Sequence, residues 1–475
     1  MTRDVKRSIF AASLLVSIAP VACGNSTPPP ATPATPLRAA AMTPVAAERS
    51  TEDPAPVTDG NVTVGWLRGM QIVVWRTPGA EFVGARLAIR GGTRNWTAAN
   101  AGVENLALQV ATRGGTKSLT KDQFANKLAS LGAWIDGNCD NDFSSIGANA
   151  PREVWDALFP MMVETFLAPA LPQTEFDVQK QRDLSALKHE LETGDGRLWH
   201  TERKQVFANH PYANRPNGTI ETLSSIQLAD LGPHLEKLRD TNRLLLVVVG
   251  DVDAAQVIDQ AKTAFASVPR GSYIETPIPA LHYDGAHVVG DTFKLPTSYI
   301  QSSFAGPQWG DPDFVPMWLA MDALGHRVWD EVRSKRNLSY APLAYDQYRL
   351  AAPISVLYVT AVDPTTTMGV MFDEVRRLQN EPVPAKELAA IKSVFLSRYL
   401  VNQETTDWRV WAVVQAVILG GDWHLIDTFP DRVRAVRAED IQRVAKKWLV
   451  NPQTAIVGDP GKLDPKAVGV SAVGK

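Results

Sequence analysis

The amino-acid sequence predicts an α+β chain: two homologous α/β sandwich halves, each an antiparallel sheet with helices, forming a clam-shaped molecule. Three observations lead there. Val248–Asp251 (VVGD), closing a buried apolar strand, is echoed at Ile456–Asp459 (IVGD) near the C-terminus. Ser298–Trp309 occupies the place in the second half that Ala85–Trp96 occupies in the first. Between these anchors, period-two apolar runs alternate with segments of helical period, as expected for layers of sheet and helix. Self-similarity at a fixed separation marks a repeated unit.

Composition fits a globular chain long enough for two or more domains: 475 residues, 45% hydrophobic and 21% charged. A net charge of -3 argues against a nucleic-acid binder, which would carry a basic stripe. No run after the N-terminus is long and apolar enough to span a bilayer. Arg3, Lys6 and Arg7 precede an apolar run from Ile9 to Ala19, then Pro20-Val21-Ala22-Cys23, so residues 1–22 read as a signal peptide. Small residues before Cys23 are similar to a bacterial lipoprotein cleavage site. That similarity implies acylation of Cys23, and Gly24 favours outer-membrane sorting on the periplasmic side of a Gram-negative envelope. With Cys23 acylated, Cys139 has no intramolecular partner and no disulfide is expected. Residues 23–59, rich in Pro, Ala and Thr, cannot bury a core and read as a tether.

The first domain is expected over 60–271. Val62–Trp66 and Met70–Trp75 read as strands around an Arg68-Gly69 hairpin turn. Phe82–Ile89 alternates like a strand and ends at Gly91-Gly92-Thr93-Arg94. Helices are predicted at Lys121–Leu131, Arg152–Phe166 and Glu175–Leu191, with one strand, Ala133–Ala148, between the first two. Leu244–Gly250 is a buried strand, and the helix Ala254–Phe265 closes the half. A linker (272–291), a second domain (292–465) and a tail (466–475) complete the chain.

In the second half, Leu319, Met321, Leu324, Val328 and Val332 recur at helical spacing across Met317–Tyr340. Lys335-Arg336 suit the end of that helix, and Asn337 suits a left-handed cap. Leu338-Ser339-Tyr340 then enters a strand. His326 and His424 show no ligand spacing with any Cys, His or carboxylate and read as structural.

The chemistry centres on Ala101–Thr116, AGVENLALQVATRGGT. It reads as a helix with Val103, Leu106, Ala107 and Val110 on one apolar face, stopped by Gly114-Gly115. Asn105, Leu108 and Gln109 share another face, at the spacing by which zinc peptidases place two metal ligands and a general base. The stretch resembles the inverted zinc motif of the insulinase/pitrilysin peptidases, Gly-Leu-x-His-x-x-Glu-His-x-x-x-x-Gly-Thr. Gly102, Val103, Asn105, Leu108, Gln109 and Gly114 fall on successive motif positions, with one extra glycine before Thr116. Both motif histidines are thus replaced, by Asn105 and Gln109, and the glutamate by Leu108.

Other segments extend the resemblance over about Asn61 to Asp459. Glu190 matches the family's third zinc ligand, as the surviving member of the metal set. His210-Pro211-Tyr212 followed by Gly218-Thr219 resembles the family's His-Pro-Tyr…Gly-Thr loop; by itself it reads as a turn rich in local hydrogen bonds. Arg333 and Tyr340 match the Arg and Tyr of Arg-Glu-x-x-Gly-Leu-x-Tyr, which implies a substrate-holding role across a cleft. Hydrolysis needs a metal to acidify water and a carboxylate to move its proton. Leu108 can do neither, and neutral amides replace imidazole poorly at zinc. The resemblance therefore implies no catalytic residue and no cofactor on this chain. It implies a non-catalytic, substrate-holding partner of a heteromeric zinc endopeptidase, with zinc only on the other subunit and a peptide shared between the two. The alternative is a stand-alone periplasmic peptide-binding or scaffolding lipoprotein.

Overall fold

Runs of Val, Ile and Leu bounded by turn residues set the first sheet. In this computed structural model, which describes residues 53–470, it begins with β1 (Val57–Asp59), β2 (Val62–Leu67), β3 (Met70–Arg76) and β4 (Phe82–Arg90). Arg68 and Gly69, at φ 47° and 95°, close the β2–β3 hairpin, since both central positions of such a turn need positive φ. Helices α1 (Val103–Arg113) and α2 (Lys121–Ser130) follow, then β5 (Trp134–Cys139) and β6 (Phe143–Pro151). After them come α3 (Trp155–Leu167), α4 (Gln173–Glu190), α5 (Gly194–Val206), α6 (Ile220–Ser225) and α7 (Leu228–Leu238). β7 (Leu244–Gly250) and α8 (Ala254–Ala264) end the half.

The second half runs β8 (His287–Thr292), β9 (Ser298–Ala305), α9 (Phe314–Val328), β10 (Leu343–Gln347) and β11 (Ile354–Ala361). It continues with α10 (Pro364–Asn380), α11 (Ala385–Asn402), α12 (Thr406–Gly420), α13 (Phe429–Ala435), α14 (Ala438–Trp448) and β12 (Gln453–Gly458). The first sheet has the order β1-β2-β3-β7-β4-β6-β5 and the second β10-β11-β9-β12-β8. Taken from β3 and from β8, the five-strand orders coincide: β3-β7-β4-β6-β5 against β8-β12-β9-β11-β10. The VVGD and IVGD segments end equivalent strands, β7 and β12.

Several elements differ from expectation. Each sheet contains one parallel pair, β3 with β7 and β8 with β12, because the last strand of each half returns after a helical crossover. The strand expected over Ala133–Ala148 is a hairpin. Asp140-Asn141-Asp142 are turn formers, and the Asp140 N–H closes the turn on the Phe143 carbonyl at 3.0 Å. β8 begins within the expected linker and ends one residue beyond it; its HVVGDT sequence is too polar and too short to stand out. β1 pairs with β2 inside the expected tether, and Val468, in the expected tail, is fully buried in the second core. The segment after Asn337 becomes a strand only at Leu343, not at Leu338. The signal peptide, Cys23 and most of the tether lie outside the described residues.

The two halves exchange helices. On one face of the first sheet, Ile72, Val74, Leu87 and Val248 pack with α1, α3, α7 and α8. On the other, Val73, Ala88, Val247 and Val249 meet Val410, Val413, Val414 and Val417 of α12, from the second half. The alternation of strand side chains makes both faces available. Reciprocally, α5 of the first half lies on the second sheet, with Leu198 against Ala455 and Val457.

Candidate functional site

Helix α1 starts at Gly102, whose φ of 95° and close approach to Gly218 exclude a side chain. Leu106, Ala107, Leu108 and Val110 are fully buried in the first core. Asn105 and Gln109 converge on one carboxylate: Asn105 Nδ2 lies 3.4 Å and Gln109 Nε2 3.3 Å from the same Asp183 oxygen, Oδ2. Burial pushes the Asp183 carboxyl up, against the Gln109 hydrogen bond and the fields of Arg182 and Arg113. The Gln109 carbonyl in turn accepts from Arg113 at 3.4 Å.

The surviving-ligand assignment of Glu190 is corrected here. The acid that meets the α1 pair is Asp183, one heptad earlier on α4, or about two turns. Glu190 sits where α4 ends, and both its oxygens accept from Arg215 Nη2 at 2.7 Å. A sequence signal for Asp183 existed: it is an acid on the inward stripe of α4, spaced with Phe176, Gln179 and Leu187. These residues do not fit a zinc ion. Leu108 has no donor atom, both amide nitrogens are turned to Asp183, and Glu190 is neutralised by Arg215. Among the described residues, no group of three or more His, Cys, Asp or Glu could hold a metal ion.

Glu104, inside the same stretch, anchors the helix. Its buried carboxylate accepts from Trp96 Nε1 at 3.2 Å and pairs with His234 Nε2 of α7 at 2.9 Å, and Ser144 of β6 binds its other oxygen. Burial would raise its pKa, yet the His234 and Ser144 hydrogen bonds and the field of Arg243 hold it below the usual carboxylate value.

The His210-Pro211-Tyr212 loop does more than make local bonds. His210 Nδ1 accepts the Tyr212 N–H at 3.2 Å, while the fully buried Tyr212 hydroxyl donates to Asp142 at 2.6 Å. From the second half, the Ala351 N–H reaches both Asp142 Oδ2 and the Tyr212 oxygen at 2.9 Å. Arg94 completes the cluster with an ion pair to Asp142 at 2.5 Å. The loop therefore ties the halves together.

Helix α9 continues as a π-helical turn, Trp329–Lys335, and ends at Asn337 with φ 51°, the left-handed cap the residue type favours. This geometry brings Arg333 back over Tyr340. The guanidinium lies 4.0 Å from the Tyr340 ring and 4.2 Å from the Trp329 ring, and Nη1 donates to the Tyr340 carbonyl at 3.1 Å. An arginine has five N–H donors, so the rest remain available to a ligand. Tyr340 is 75% exposed, which excludes a core role. The pair shares an open groove of about 580 Å³ with Thr297, Asn337, Thr360 and Val362. All its lining residues come from the second half, and none from α1 or α4. Elsewhere, His326 is solvent-facing beside Asp322, and His424 bridges Asp422 and Asp59 at 2.6 and 3.2 Å.

Fold and site together define a class: a duplicated peptidase-type fold whose metal helix holds amides and an alkyl group. Residues 225–395 match the family described as "Peptidase M16 inactive domain". The non-peptidase homolog YmxG of Helicobacter pylori is 22% identical over 374 residues, covering 76% of this chain and 84% of that protein. The crystal structure of a peptidase M16 inactive domain from Pseudomonas fluorescens superposes with a TM-score of 0.76 at 18% identity, covering 84% of this chain and 98% of the other. Cytochrome b-c1 complex subunit 1 of Bos taurus is 22% identical over 249 residues, half of each chain. Over most of its length the chain is thus similar to M16-type proteins described as inactive or as non-peptidase homologues.

Proposed function

We propose that this chain is the non-catalytic, substrate-holding partner of a heteromeric insulinase-family zinc endopeptidase, with zinc on the other subunit alone. One observation carries the reading: the α1 positions are closed by two amides on Asp183, inside a fold that is otherwise complete. Arg333 and Tyr340 supply the holding surface. Their guanidinium donors and phenol can bond the carbonyls of an extended peptide. A relative named as a subunit of the cytochrome b-c1 complex supports a role within an assembly. The chain acts on the periplasmic side of the envelope, held at the outer membrane by a lipid on Cys23, with no nucleic-acid partner.

Co-purification from native membranes tests the reading. The expected companion carries an intact His-x-x-Glu-His motif, and the mixture cleaves peptides that neither chain cleaves alone. Arg333→Ala or Tyr340→Phe lowers that rate by about 10–1,000-fold while assembly survives. A double variant that assembles and leaves the mixture fully active removes the holding role and leaves the stand-alone periplasmic scaffold. Cys23→Ala should release the protein from membranes or leave its precursor unprocessed; unchanged processing and membrane association would remove the anchor.

A further inference from the structure

A second site stands apart from α1 and from the Arg333 groove. The second half encloses a cavity of about 410 Å³ with aromatic walls: Trp309, Trp318 of α9, Tyr348, Trp408 and Trp411 of α12, and Phe429 of α13. Mutual packing fixes several of these rings. Trp318 stacks on Tyr348 with centroids 4.1 Å apart and meets Phe429 at 5.4 Å, while the Trp309 indole N–H is held by the Tyr348 carbonyl at 2.6 Å. The indole N–H groups of Trp318, Trp408 and Trp411 have no hydrogen-bond partner among the described residues, and all three side chains are partly exposed. A concave, mostly apolar space of this size with a few polar groups converging on it is the usual form of a ligand pocket.

Charge selects the ligand. Asp407, on the cavity wall, is answered by buried Arg86 at 3.7 Å, which also meets Asp136 and lies 4.0 Å over the Trp411 ring. Arg349, at the same cavity, is exposed and has no ion pair or hydrogen bond among the described residues. Its ring contact is Tyr348, 5.7 Å away. It feels the buried Asp140 carboxylate, but the Asn141 amide and Arg203 also serve that acid. Among the residues that line the cavity, Arg349 is the one cation, with no acid at ion-pair distance, and it stands beside an aromatic slot. Thr405 and Gln415 add polar atoms suited to a peptide group, and the cavity opens to solvent, giving a preceding chain a way out.

We infer that this cavity takes the C-terminal residue of a peptide, its aromatic or branched apolar side chain between the tryptophans and its carboxylate on Arg349. The free chain tests it without any partner subunit, so the result is independent of the Arg333–Tyr340 proposal. The probe is N-acetyl-Ala-Phe as free acid, titrated by calorimetry and by quenching of tryptophan fluorescence, against its C-terminal amide and against N-acetyl-Ala-Gly. The acid should bind, with both comparison peptides about 10–100-fold weaker, the range for losing a charge-assisted contact or a buried aromatic side chain. Arg349→Gln, at an exposed side chain, should erase the preference for acid over amide and keep that for Phe over Gly. Ala412→Trp should fill the space and abolish binding with Arg349 still present, in a chain whose unfolding midpoint matches the parent. Equal affinity for acid and amide, a preference that survives Arg349→Gln, or no binding at several millimolar would each overturn the proposal. Tighter binding of an N-acetylglucosamine oligomer than of the peptide acid would do the same and make the tryptophans a glycan platform.

Discussion

The Tyr212 hydroxyl is the smallest group whose removal should loosen the contact between the halves. Tyr212→Phe keeps the ring, which packs with Phe207, Ile354 and Val356, and deletes one oxygen. That oxygen donates to the Asp142 carboxylate at 2.6 Å and accepts the N–H groups of Ala351 and Ala352 at 2.9 and 3.3 Å. Ala351 retains its bond to Asp142, whereas the buried Ala352 N–H has no substitute. A hydrogen bond to a charged group contributes about 1.5–3 kcal/mol, and one orphaned buried donor costs at least about 1 kcal/mol. The expected loss is about 2–4 kcal/mol, read as a shift in urea unfolding at constant slope. Tyr283→Phe is the control, because its hydroxyl makes one neutral bond to the Val206 carbonyl at 3.3 Å and should lose about 0.5–1.5 kcal/mol. If Tyr212→Phe costs no more than this control, the loop is a local turn and the inter-half role is wrong.

Three further outcomes are expected. Purified protein should contain no stoichiometric zinc and should not cleave unfolded peptides; one zinc per chain by elemental analysis, with chelator-sensitive cleavage, contradicts the account of α1. Gly137→Ala should cost about 1–3 kcal/mol, since a Cβ there would lie 2.6 Å from the Leu108 carbonyl oxygen, whereas Gly369→Ala in α10, with open space around it, should be neutral or stabilising; equal thermal shifts would refute the close approach. The His424 imidazole is raised above its ordinary value by the hydrogen bond it donates to Asp422 and then by Asp59, with Asp427 also in its field. A raised folded pKa means that its tie to the β1 edge is fully present below about pH 6.5 and is lost as pH rises through the folded value. Hydrogen exchange at β1, corrected for intrinsic rates, should show that loss in the parent and not in His424→Asn.

What the sequence revealed follows the range of the interactions involved. The β2–β3 hairpin, α1 with its glycine stop and the left-handed Asn337 were legible because each is set by neighbours a few residues apart. β5 and β6 were fused because Ala133–Ala148 mixes turn formers and strand formers without a clear break. Asp183 was passed over for Glu190 because both lie on one stripe of α4, and only the crossing of α1 with α4 decides which acid meets Gln109. The aromatic cavity was invisible for a related reason. Trp309, Trp408 and Phe429 belong to separate elements, and each reads alone as an ordinary core residue. Helix α12 did carry a sign: DWRVWAVVQAVILG is apolar nearly all round, as a helix buried on both sides should be.

That sign leads to the energetics of the helix exchange. Val410, Val413, Val414 and Val417 are each at most 3% exposed, and they are covered by a sheet from the other half. At about 1.5–3 kcal/mol for a fully buried aliphatic side chain, these four contribute about 6–12 kcal/mol. That is comparable with the whole net stability of a typical domain, about 5–15 kcal/mol. Swinging the halves apart would strip α12 from β4 and β7 and α5 from β9 and β12, exposing both seams at once. A peptide therefore has no inexpensive route between the halves of this chain, and a closed chamber is more readily completed by a second chain laid against its surface. The exposed Tyr340, in a groove that α1 does not line, lies on a surface that a second chain could reach without the halves parting.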